Sequence, residues 1–257
     1  VDIGRNRVYN RYMENEEKIR RLGKMIREAE RVVFFGGAGV STESGLPDFR
    51  SPKGAAAKKY AYPFEVILSH EFFYDHTEEF FDYYFAEMAR DGVRPNAAHF
   101  AVAELERKGR LTAVVTQNVD GLHQAAGSRN VFELHGSVHR NTCTVCGAKY
   151  TLGDMLARRP VPRCRCGGLI KPDVVLYGEQ LPDDAVSGAV RALEAADLVI
   201  VAGTSLAVYP AASFLHYTRG RLALVNLTHV ASPVSPDLEI NDSAGRVLSA
   251  AVAEAGL

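Results

Sequence analysis

The stretch Val32-Val33-Phe34-Phe35-Gly36-Gly37-Ala38-Gly39-Val40-Ser41 decides the fold of this chain. Its first four residues are apolar and partly β-branched, which predicts a short strand buried on both faces. Glycines directly after such a strand predict a tight turn into a helix, where the backbone can approach a pyrophosphate. The dinucleotide fingerprint of dehydrogenases is incomplete, because Thr42 stands where a glycine is expected and residues 55–60 contain no acidic side chain. A purely structural turn is the alternative.

Similar apolar runs recur along the chain, and each predicts another buried strand. They lie at residues 113–116, 131–134, 174–177, 198–202 and 222–227. Apolar residues at helical spacing predict helices over residues 15–30, 97–108 and 184–196. Strands that alternate with helices predict a doubly wound, Rossmann-like α/β domain with a parallel sheet, whose ligand lies at the carboxyl ends of the strands.

Two insertions interrupt this alternation. Residues 51–91 are rich in phenylalanine and tyrosine, with helical spacing in their second half, and residues 139–170 contain the cysteines. We expect these insertions to form a smaller helical and zinc-binding domain, and the larger domain to comprise residues 1–50, 92–138 and 171–257. The aromatic stripe is interpreted as core rather than as a surface for stacking bases.

Composition excludes several classes of protein. Of 257 residues, 47% are hydrophobic and 24% are charged, which excludes disordered and low-complexity chains. The formal net charge of -1 does not favour an electrostatic nucleic-acid binder. The apolar runs are too short to cross a bilayer, and the charged N-terminal stretch differs from the apolar core of a signal peptide. We expect a cytoplasmic protein with no membrane partner and no direct nucleic-acid partner.

The four cysteines form two pairs, Cys143-x-x-Cys146 and Cys164-x-Cys166. Two thiolate pairs of this kind suit one tetrahedral zinc ion. Two disulfides of the kind found in secreted proteins are the alternative, but the sequence shows no signal peptide and no cysteine outside the two pairs. Because four sulfur ligands leave no position for water, we expect this zinc to stabilise the fold rather than to catalyse.

Polar side chains follow several of the predicted strands. Asn118 and Asp120 come after one strand, and His135 comes after the next. Residues 203–205 and Asn226 supply hydroxyl and amide groups that suit ribose hydroxyls. Since the carboxyl ends of parallel strands meet at one edge, five strand ends should converge on one crevice. His135, facing the same edge as the Asn/Asp cluster, is a candidate general base.

With these residues in their motifs, the sequence resembles the sirtuins, the NAD-dependent protein lysine deacylases, and its bacterial and archaeal members most. The motifs, in chain order, are Gly37-Ala38-Gly39-Val40-Ser41, Gly45-Leu46-Pro47-Asp48-Phe49-Arg50, Pro95-Asn96-Ala97-Ala98-His99, Thr116-Gln117-Asn118-Val119-Asp120, His135-Gly136, the two cysteine pairs, Lys171-Pro172-Asp173-Val174-Val175, Tyr177-Gly178-Glu179 and Gly203-Thr204-Ser205.

The resemblance implies an NAD-dependent protein deacetylase that produces nicotinamide, free lysine and O-acyl-ADP-ribose. It makes His135 the catalytic base and puts Asn118 and Asp120 in the nicotinamide pocket. The cofactor-binding residues that it implies are Gly37, Ala38, Gly39, Thr42, Asp48, Phe49, Arg50, Gln117, Asn118, Val119, Asp120, His135, Gly203, Thr204, Ser205, Asn226 and Asp242. The implied substrate-binding residues are Val174, Tyr177, Gly178, Glu179, Leu206 and Val208. These would hold the acylated peptide as an added β-strand.

Two other functions stay open at this point. A protein ADP-ribosyltransferase would use the same crevice, and a non-catalytic NAD-sensing zinc-ribbon module would need only its binding groups. The presence of Asn118, Asp120 and His135 favours deacylation. The sequence does not specify an oligomeric state, and a monomer is compatible with it.

The expected acyl group is uncharged. Relatives that prefer succinyl or malonyl lysine resemble one another in a tyrosine and an arginine three residues apart, after the Asp-Phe-Arg motif. Residues 51–63 contain no arginine and no such pair. An anionic acyl chain would therefore enter an apolar tunnel without a bidentate partner, at a desolvation cost of several kcal/mol.

Overall fold

The computed structural model describes residues 3–48 and 60–257, with side chains from Tyr12 onward. Its strands are β1 (Val32–Gly36), β2 (Leu111–Thr116), β3 (Val131–Glu133), β4 (Gly136–Cys143), β5 (Lys149–Tyr150), β6 (Ile170–Val174), β7 (Leu198–Ala202), β8 (Arg221–Asn226) and β9 (Leu238–Asn241). Its helices are α1 (Ile3–Glu28), α2 (Phe64–Ile67), α3 (His70–Asp75), α4 (Thr77–Tyr83), α5 (Ala97–Arg107), α6 (Leu122–Ala126), α7 (Leu152–Leu156), α8 (Asp183–Ala195) and α9 (Ala244–Glu254). Short 3₁₀ helices cover Ala38–Val40, Thr42–Ser44 and Ala211–Tyr217.

The larger sheet is parallel throughout, in the order β3-β2-β1-β7-β8-β9. Successive side chains of a strand point to opposite faces, so Phe34 packs with α1, α5 and α9, whereas Val33 and Phe35 pack with α8 and the 3₁₀ helix Ala211–Tyr217. All three side chains are fully buried. The prediction of a doubly wound parallel sheet is confirmed. The strand order changes direction between β1 and β7, and at this position, the switch point of the sheet, such sheets open a crevice.

The predicted helices are present, the first one considerably longer than predicted and the other two with bounds within one residue. The first begins well before residue 15, at Ile3, and buries Ile19, Leu22 and Ile26 against the sheet. The second begins after Asn96, whose side chain accepts a hydrogen bond from the Ala98 N–H at 2.9 Å. An N-cap of this kind satisfies one of the free amides of the first turn.

A smaller antiparallel sheet has the order β5-β4-β6. Beside it lie α2, α3 and α4, and their aromatic rings meet largely edge to face. The fully buried members of this cluster are Phe73, Phe80, Phe81, Tyr83 and Tyr84. The aromatic stripe is therefore core, as the sequence predicted.

The prediction of a parallel strand over residues 174–177 is wrong. The run starts with the last residue of β6, which is antiparallel to β4, and then leaves the sheet. The Val175 N–H donates to the His135 carbonyl at 2.9 Å, and the Tyr177 N–H donates to the Leu68 carbonyl at 2.8 Å. An apolar run indicates that its residues are buried, but it does not indicate the direction in which a strand runs. A buried connection between two sheets can therefore have the same composition as a central strand.

The smaller sheet reaches beyond the predicted insertion at both ends, since β4 begins at Gly136 and β6 ends at Val174. The division of the chain into domains stays a prediction. Among the described residues, none of the helices combines the length and the apolar composition that crossing a membrane requires.

Candidate active site

A cavity of about 630 Å³ opens at the carboxyl ends of the parallel strands. Its wall includes residues that directly follow β1, β2, β7 and β8, and also His135 after β3 and Asp242 after β9. The predicted convergence of five strand ends therefore exists, and β9 adds a sixth. A crevice of this size, lined mainly by apolar surface with a few polar groups, is typical of a small-molecule or cofactor site.

The glycine-rich turn after β1 lies against the turn after β7. The Gly39 N–H donates to the Gly203 carbonyl at 2.7 Å, and the Gly37 N–H donates to the Ala202 carbonyl at 3.2 Å. A Cβ atom at Gly37 would lie 2.8 Å from the Thr204 Cβ, and one at Gly39 would lie 2.8 Å from the Gly203 Cα. These distances are shorter than side chains tolerate, so both turns need glycine to pack together.

Asn118 and Asp120 are joined by Ser41. The Ser41 hydroxyl donates to Asp120 Oδ2 at 2.7 Å and accepts from Asn118 Nδ2 at 3.0 Å. Asn118 Nδ2 also donates to the Gly37 carbonyl at 3.1 Å, and Asp120 Oδ1 accepts from the Leu122 N–H at 2.9 Å. The network fixes both side chains at the cavity wall before any ligand binds.

His99 supports this network from inside the protein. Its Nδ1 accepts from the Asn96 N–H at 3.2 Å, which leaves the proton of the neutral ring on Nε2. That nitrogen lies 3.5 Å from the Ser41 oxygen. Burial lowers the pKa of His99, against a smaller opposite effect of Asp120 and Glu43, so the ring is neutral near pH 7.

The tautomer of His135 is set by the backbone. Its Nδ1 lies 2.9 Å from the Gln117 carbonyl, and because a carbonyl can only accept, Nδ1 carries the proton. Nε2 of the neutral ring is therefore a free proton acceptor. Burial lowers the pKa of His135, and the bond to the Gln117 carbonyl opposes that effect only in part. A histidine of this kind can remove a proton from a hydroxyl in the cavity at neutral pH.

Polar groups from the two sides of the crevice between β1 and β7 hold one another. Gln117 follows β2, whereas Thr204 follows β7 and Asn226 ends β8. Gln117 Nε2 donates to the Thr204 hydroxyl at 3.1 Å. The Thr204 N–H donates to Asn226 Oδ1 at 3.0 Å, and Asn226 Nδ2 donates to the Thr204 carbonyl at 2.9 Å. These groups are positioned to bind a polyhydroxyl ligand such as a ribose.

Most of the residues selected from the sequence lie on this one cavity. Those that line it are Gly37, Ala38, Gly39, Asp48, Gln117, Asn118, Val119, Asp120, His135, Val174, Tyr177, Gly178, Glu179, Gly203, Thr204, Ser205, Val208, Asn226 and Asp242. Thr42 does not line it, because its hydroxyl turns back to donate to the Gly39 carbonyl at 2.9 Å. Leu206 does not either, since its side chain is buried in the core. Phe49 and Arg50 lie outside the described residues, as do residues 51–59 of the segment on which the acyl prediction rests.

Ser41 and Glu87 line the cavity but were not selected from the sequence. Ser41 is the last residue of the glycine-rich motif. Its position shortly after the glycines could have predicted that it lies at the site. Glu87 is one of several acidic residues in the aromatic segment 51–91, and no motif in the sequence distinguishes it as a site residue. Its Oε1 accepts from the Tyr60 hydroxyl at 2.5 Å, and its Oε2 lies 3.5 Å from the Arg90 guanidinium. Burial, together with this bond to Glu87, raises the pKa of Tyr60 to about 12.

The four cysteines form a metal centre apart from the cavity. The sulfur atoms of Cys143, Cys146, Cys164 and Cys166 all lie within 4.8 Å of one another, and none of them is in a disulfide. This arrangement fits one tetrahedral zinc ion and excludes the alternative of two disulfides. The Tyr150 hydroxyl donates to the Cys164 sulfur at 3.0 Å, a bond that would orient this ligand.

Known proteins of one family are similar to this chain over most of its length. The model of the Sir2 family matches residues 37–210. An NAD-dependent protein deacetylase of Clostridium acetobutylicum is 50% identical over 241 residues, which cover 92% of this chain and 98% of the relative. A solved structure of Sir2 with a p53 peptide and NAD+ has a TM-score of 0.82 and 38% identity, and covers 91% of this chain and 96% of that one. A second solved structure, of Sir2 with deacetylated p53 peptide and 3'-O-acetyl-ADP-ribose, has a TM-score of 0.86 and 38% identity. It covers 92% of this chain and 98% of that one. The chain therefore belongs to the Sir2 family, the sirtuins that its motifs resemble.

Proposed function

We propose that this chain is an NAD-dependent protein lysine deacetylase that produces nicotinamide, free lysine and O-acetyl-ADP-ribose. The observation that carries the proposal is His135, a neutral base with its proton fixed on Nδ1, on the same cavity as Asn118 and Asp120. A site that only binds NAD has no need of a base with a free acceptor nitrogen. NAD supplies the electrophilic ribose carbon and nicotinamide as the leaving group.

Asn118 and Asp120 hold the nicotinamide carboxamide in this proposal. An amide side chain can both donate and accept, and a carboxylate accepts from the carboxamide NH₂. Because Ser41 fixes both groups in advance, little conformational entropy is lost when the ligand binds. Holding the reacting groups in the correct geometry in this way supplies much of the rate acceleration when the attacking atom and the leaving group must lie in line.

The acyl oxygen of the lysine side chain bonds to the ribose carbon as the bond from that carbon to nicotinamide breaks. His135 then takes a proton from a ribose hydroxyl, and that oxygen bonds to the acyl carbon. The bond from the acyl carbon to the lysine nitrogen breaks, the lysine leaves with a proton, and one water molecule completes O-acetyl-ADP-ribose.

Nε2 of His135 is the atom that accepts the ribose proton, since Nδ1 is bonded to the Gln117 carbonyl. The lowered pKa of His135 keeps the base unprotonated below neutral pH. Activity should fall only when the pH falls through that lowered pKa.

The substrates in this proposal are proteins or peptides with an acylated lysine. Val174, Tyr177 and Val208 line the cavity, and the acylated peptide lies beside them as an extended strand in this proposal. The acidic lining residues are Asp48, Glu87, Asp120, Glu179 and Asp242. No lysine or arginine is found among the described residues of this wall, so the charge of the cavity supports an uncharged acyl group such as acetyl.

Other expectations are kept here as proposals. A cytoplasmic location agrees with four reduced cysteines that fit a metal. The larger domain would bind NAD, and the smaller one would carry the zinc.

The decisive experiment is a deacetylation assay of His135→Ala with an acetylated peptide, together with direct measurement of NAD binding. We expect a loss of about 10²–10⁴-fold in turnover, because general-base catalysis contributes that much, and a Kd for NAD within a few-fold of the wild type. His216→Ala is the matched control, since it removes an exposed histidine. Near-normal turnover by His135→Ala, or no NAD-dependent turnover by the wild type, would contradict the proposal.

A further inference from the structure

Beyond the matched stretch of the Sir2 family, residues from the two ends of the chain meet at the edge of the cavity. We call Asn15, Glu16, Asp242 and Arg246 the α1–α9 cluster. The first two lie on α1, Asp242 lies just before α9, and Arg246 lies in its first turn. Asp242 follows β9 and lines the cavity. The other three cluster residues are not part of the cavity wall and reach the cavity only through Asp242.

The contacts within the α1–α9 cluster converge on the Asp242 carboxylate. Arg246 donates to Asp242 Oδ2 from one nitrogen and to Glu16 from another. Asn15, which is buried, donates to Asp242 Oδ2 at 3.2 Å and to the Asn241 carbonyl at 3.3 Å. Arg246 also lies over the ring of Tyr12, 5.0 Å from its centroid. The carboxylate is thus fixed by two side chains from different elements.

This fixation leaves one acceptor position of the carboxylate open. A carboxylate has about four lone-pair positions. Two on Oδ2 are used by Asn15 and Arg246, and one on Oδ1 accepts from the Ser243 N–H at 2.8 Å. Among the described residues, no donor uses the remaining position on Oδ1. A donor on a ligand in the cavity can use it.

The position of Asp242 indicates which part of the ligand this is. Asn118 and Asp120 follow β2, whereas Asp242 follows β9, four strands away in the sheet. Four strand spacings amount to about 19 Å, so a dinucleotide that lies along this edge has its two ends near β2 and β9. With nicotinamide beside Asn118, the adenosine end lies toward β9. Its amino and hydroxyl groups are the donors that a carboxylate binds.

We infer that Asn15, Glu16 and Arg246 are positioning residues that hold Asp242 for binding the adenosine half of NAD. The inference rests on the proposed function for the identity of the ligand. It assigns a role in cofactor affinity to α1, which lies outside the stretch that the family model matches.

The test uses Arg246→Met, which breaks both ion pairs of Arg246 but keeps an apolar side chain over Tyr12. The matched control is Arg221→Met. Arg221 has a similar exposure, 39% against 33%, and it too pairs with α1, at Glu28, but it lies at the far end of β8 and does not line the cavity. The Kd for NAD is measured by calorimetry on the full chain, and KM and kcat are measured with an acetylated peptide.

We expect Arg246→Met to raise the Kd and KM for NAD about 5-fold, the size of a typical coupling within one polar network, with kcat unchanged. Arg221→Met should leave both constants within twofold. In the background of Asp242→Ala, which removes the acceptor side chain, Arg246→Met should add no further loss, because a positioning residue has nothing left to position.

The opposite results overturn the inference. Equal rises in the Kd for NAD in both arginine variants would mean that α1 merely stabilises the fold. The same conclusion would follow if the losses of NAD affinity added in the variant that changes both Asp242 and Arg246. No rise in Kd for Arg246→Met would mean that Asp242 needs no support. Because binding is measured directly, a wild type that binds NAD but does not deacetylate would contradict only the proposed function.

Discussion

Acid should destabilise this protein through His123, a histidine buried beside the candidate site. The side chain is 1% exposed and lies against the rings of Phe34 and His99, at centroid distances of 5.4 and 4.8 Å. Within the described part of the chain, neither ring nitrogen has a hydrogen-bond partner. Burial, with a smaller contribution from His99, lowers the pKa of His123 to about 3.

The magnitude follows from the difference between the folded and the unfolded pKa. An unfolded histidine takes up a proton near pH 6.5, whereas folded His123 does so only near pH 3. The contribution to stability is therefore complete above the unfolded pKa and is lost as the pH falls toward the folded one. Between pH 8 and pH 5 only the unfolded chain gains this proton, which lowers the free energy of unfolding by about 2 kcal/mol.

The assay is urea unfolding of the wild type and of His123→Leu at pH 8 and at pH 5. His123→Leu should be at least as stable as the wild type at pH 8, because no hydrogen bond is lost and the neighbouring Phe34 ring is apolar. Its loss of stability between the two pH values should be smaller by about 2 kcal/mol. His216→Leu, which removes an exposed histidine, should behave as the wild type does. Equal acid losses in the wild type and His123→Leu would refute the reasoning.

Three other predictions test the candidate site and the metal centre. Asp120→Asn should slow both nicotinamide exchange and deacetylation about 10-fold or more, because it removes the negative charge and one of the two oxygens that accept from Ser41 and Leu122; normal exchange would contradict this. Tyr150→Phe should release zinc to a chelator about 10-fold faster or more, since the hydroxyl donates to Cys164; an unchanged release rate would show that the bond does not matter. On one peptide, kcat/KM for succinyl lysine should be at least about 10-fold below that for acetyl lysine, and equal values would overturn the charge argument.

The parts of the fold that could be predicted are those fixed by local sequence. A continuous apolar run such as Val32 to Phe35 can only be buried on both faces, and in this chain it lies at the centre of the parallel sheet. Cysteines within one short segment are brought together by local turns. The Gly147 and Gly167 turns adopt positive φ angles of 72° and 88°, which glycine allows at little cost.

What could not be predicted depends on contacts between distant segments. The strand β9 is only four residues long and carries polar residues at alternate positions, so it lacks the apolar run of a central strand. Its carboxyl end carries Asp242, and the partners of Asp242 on α1 are separated from it by almost the whole chain. No pattern within a window of sequence encodes such a pairing.

The glycine-rich turn shows that a motif can be required by packing alone and need not indicate a binding site. The sequence suggested that Gly37 and Gly39 let the backbone approach a phosphate. In the structure a Cβ at either position would collide with the turn that carries Gly203 and Thr204, with no ligand involved. Glycine would therefore be required here even if nothing bound. The assignment of a nucleotide crevice rests instead on the groups that packing does not require, namely the free acceptor nitrogen of His135 and the polar side chains on both sides of the switch point.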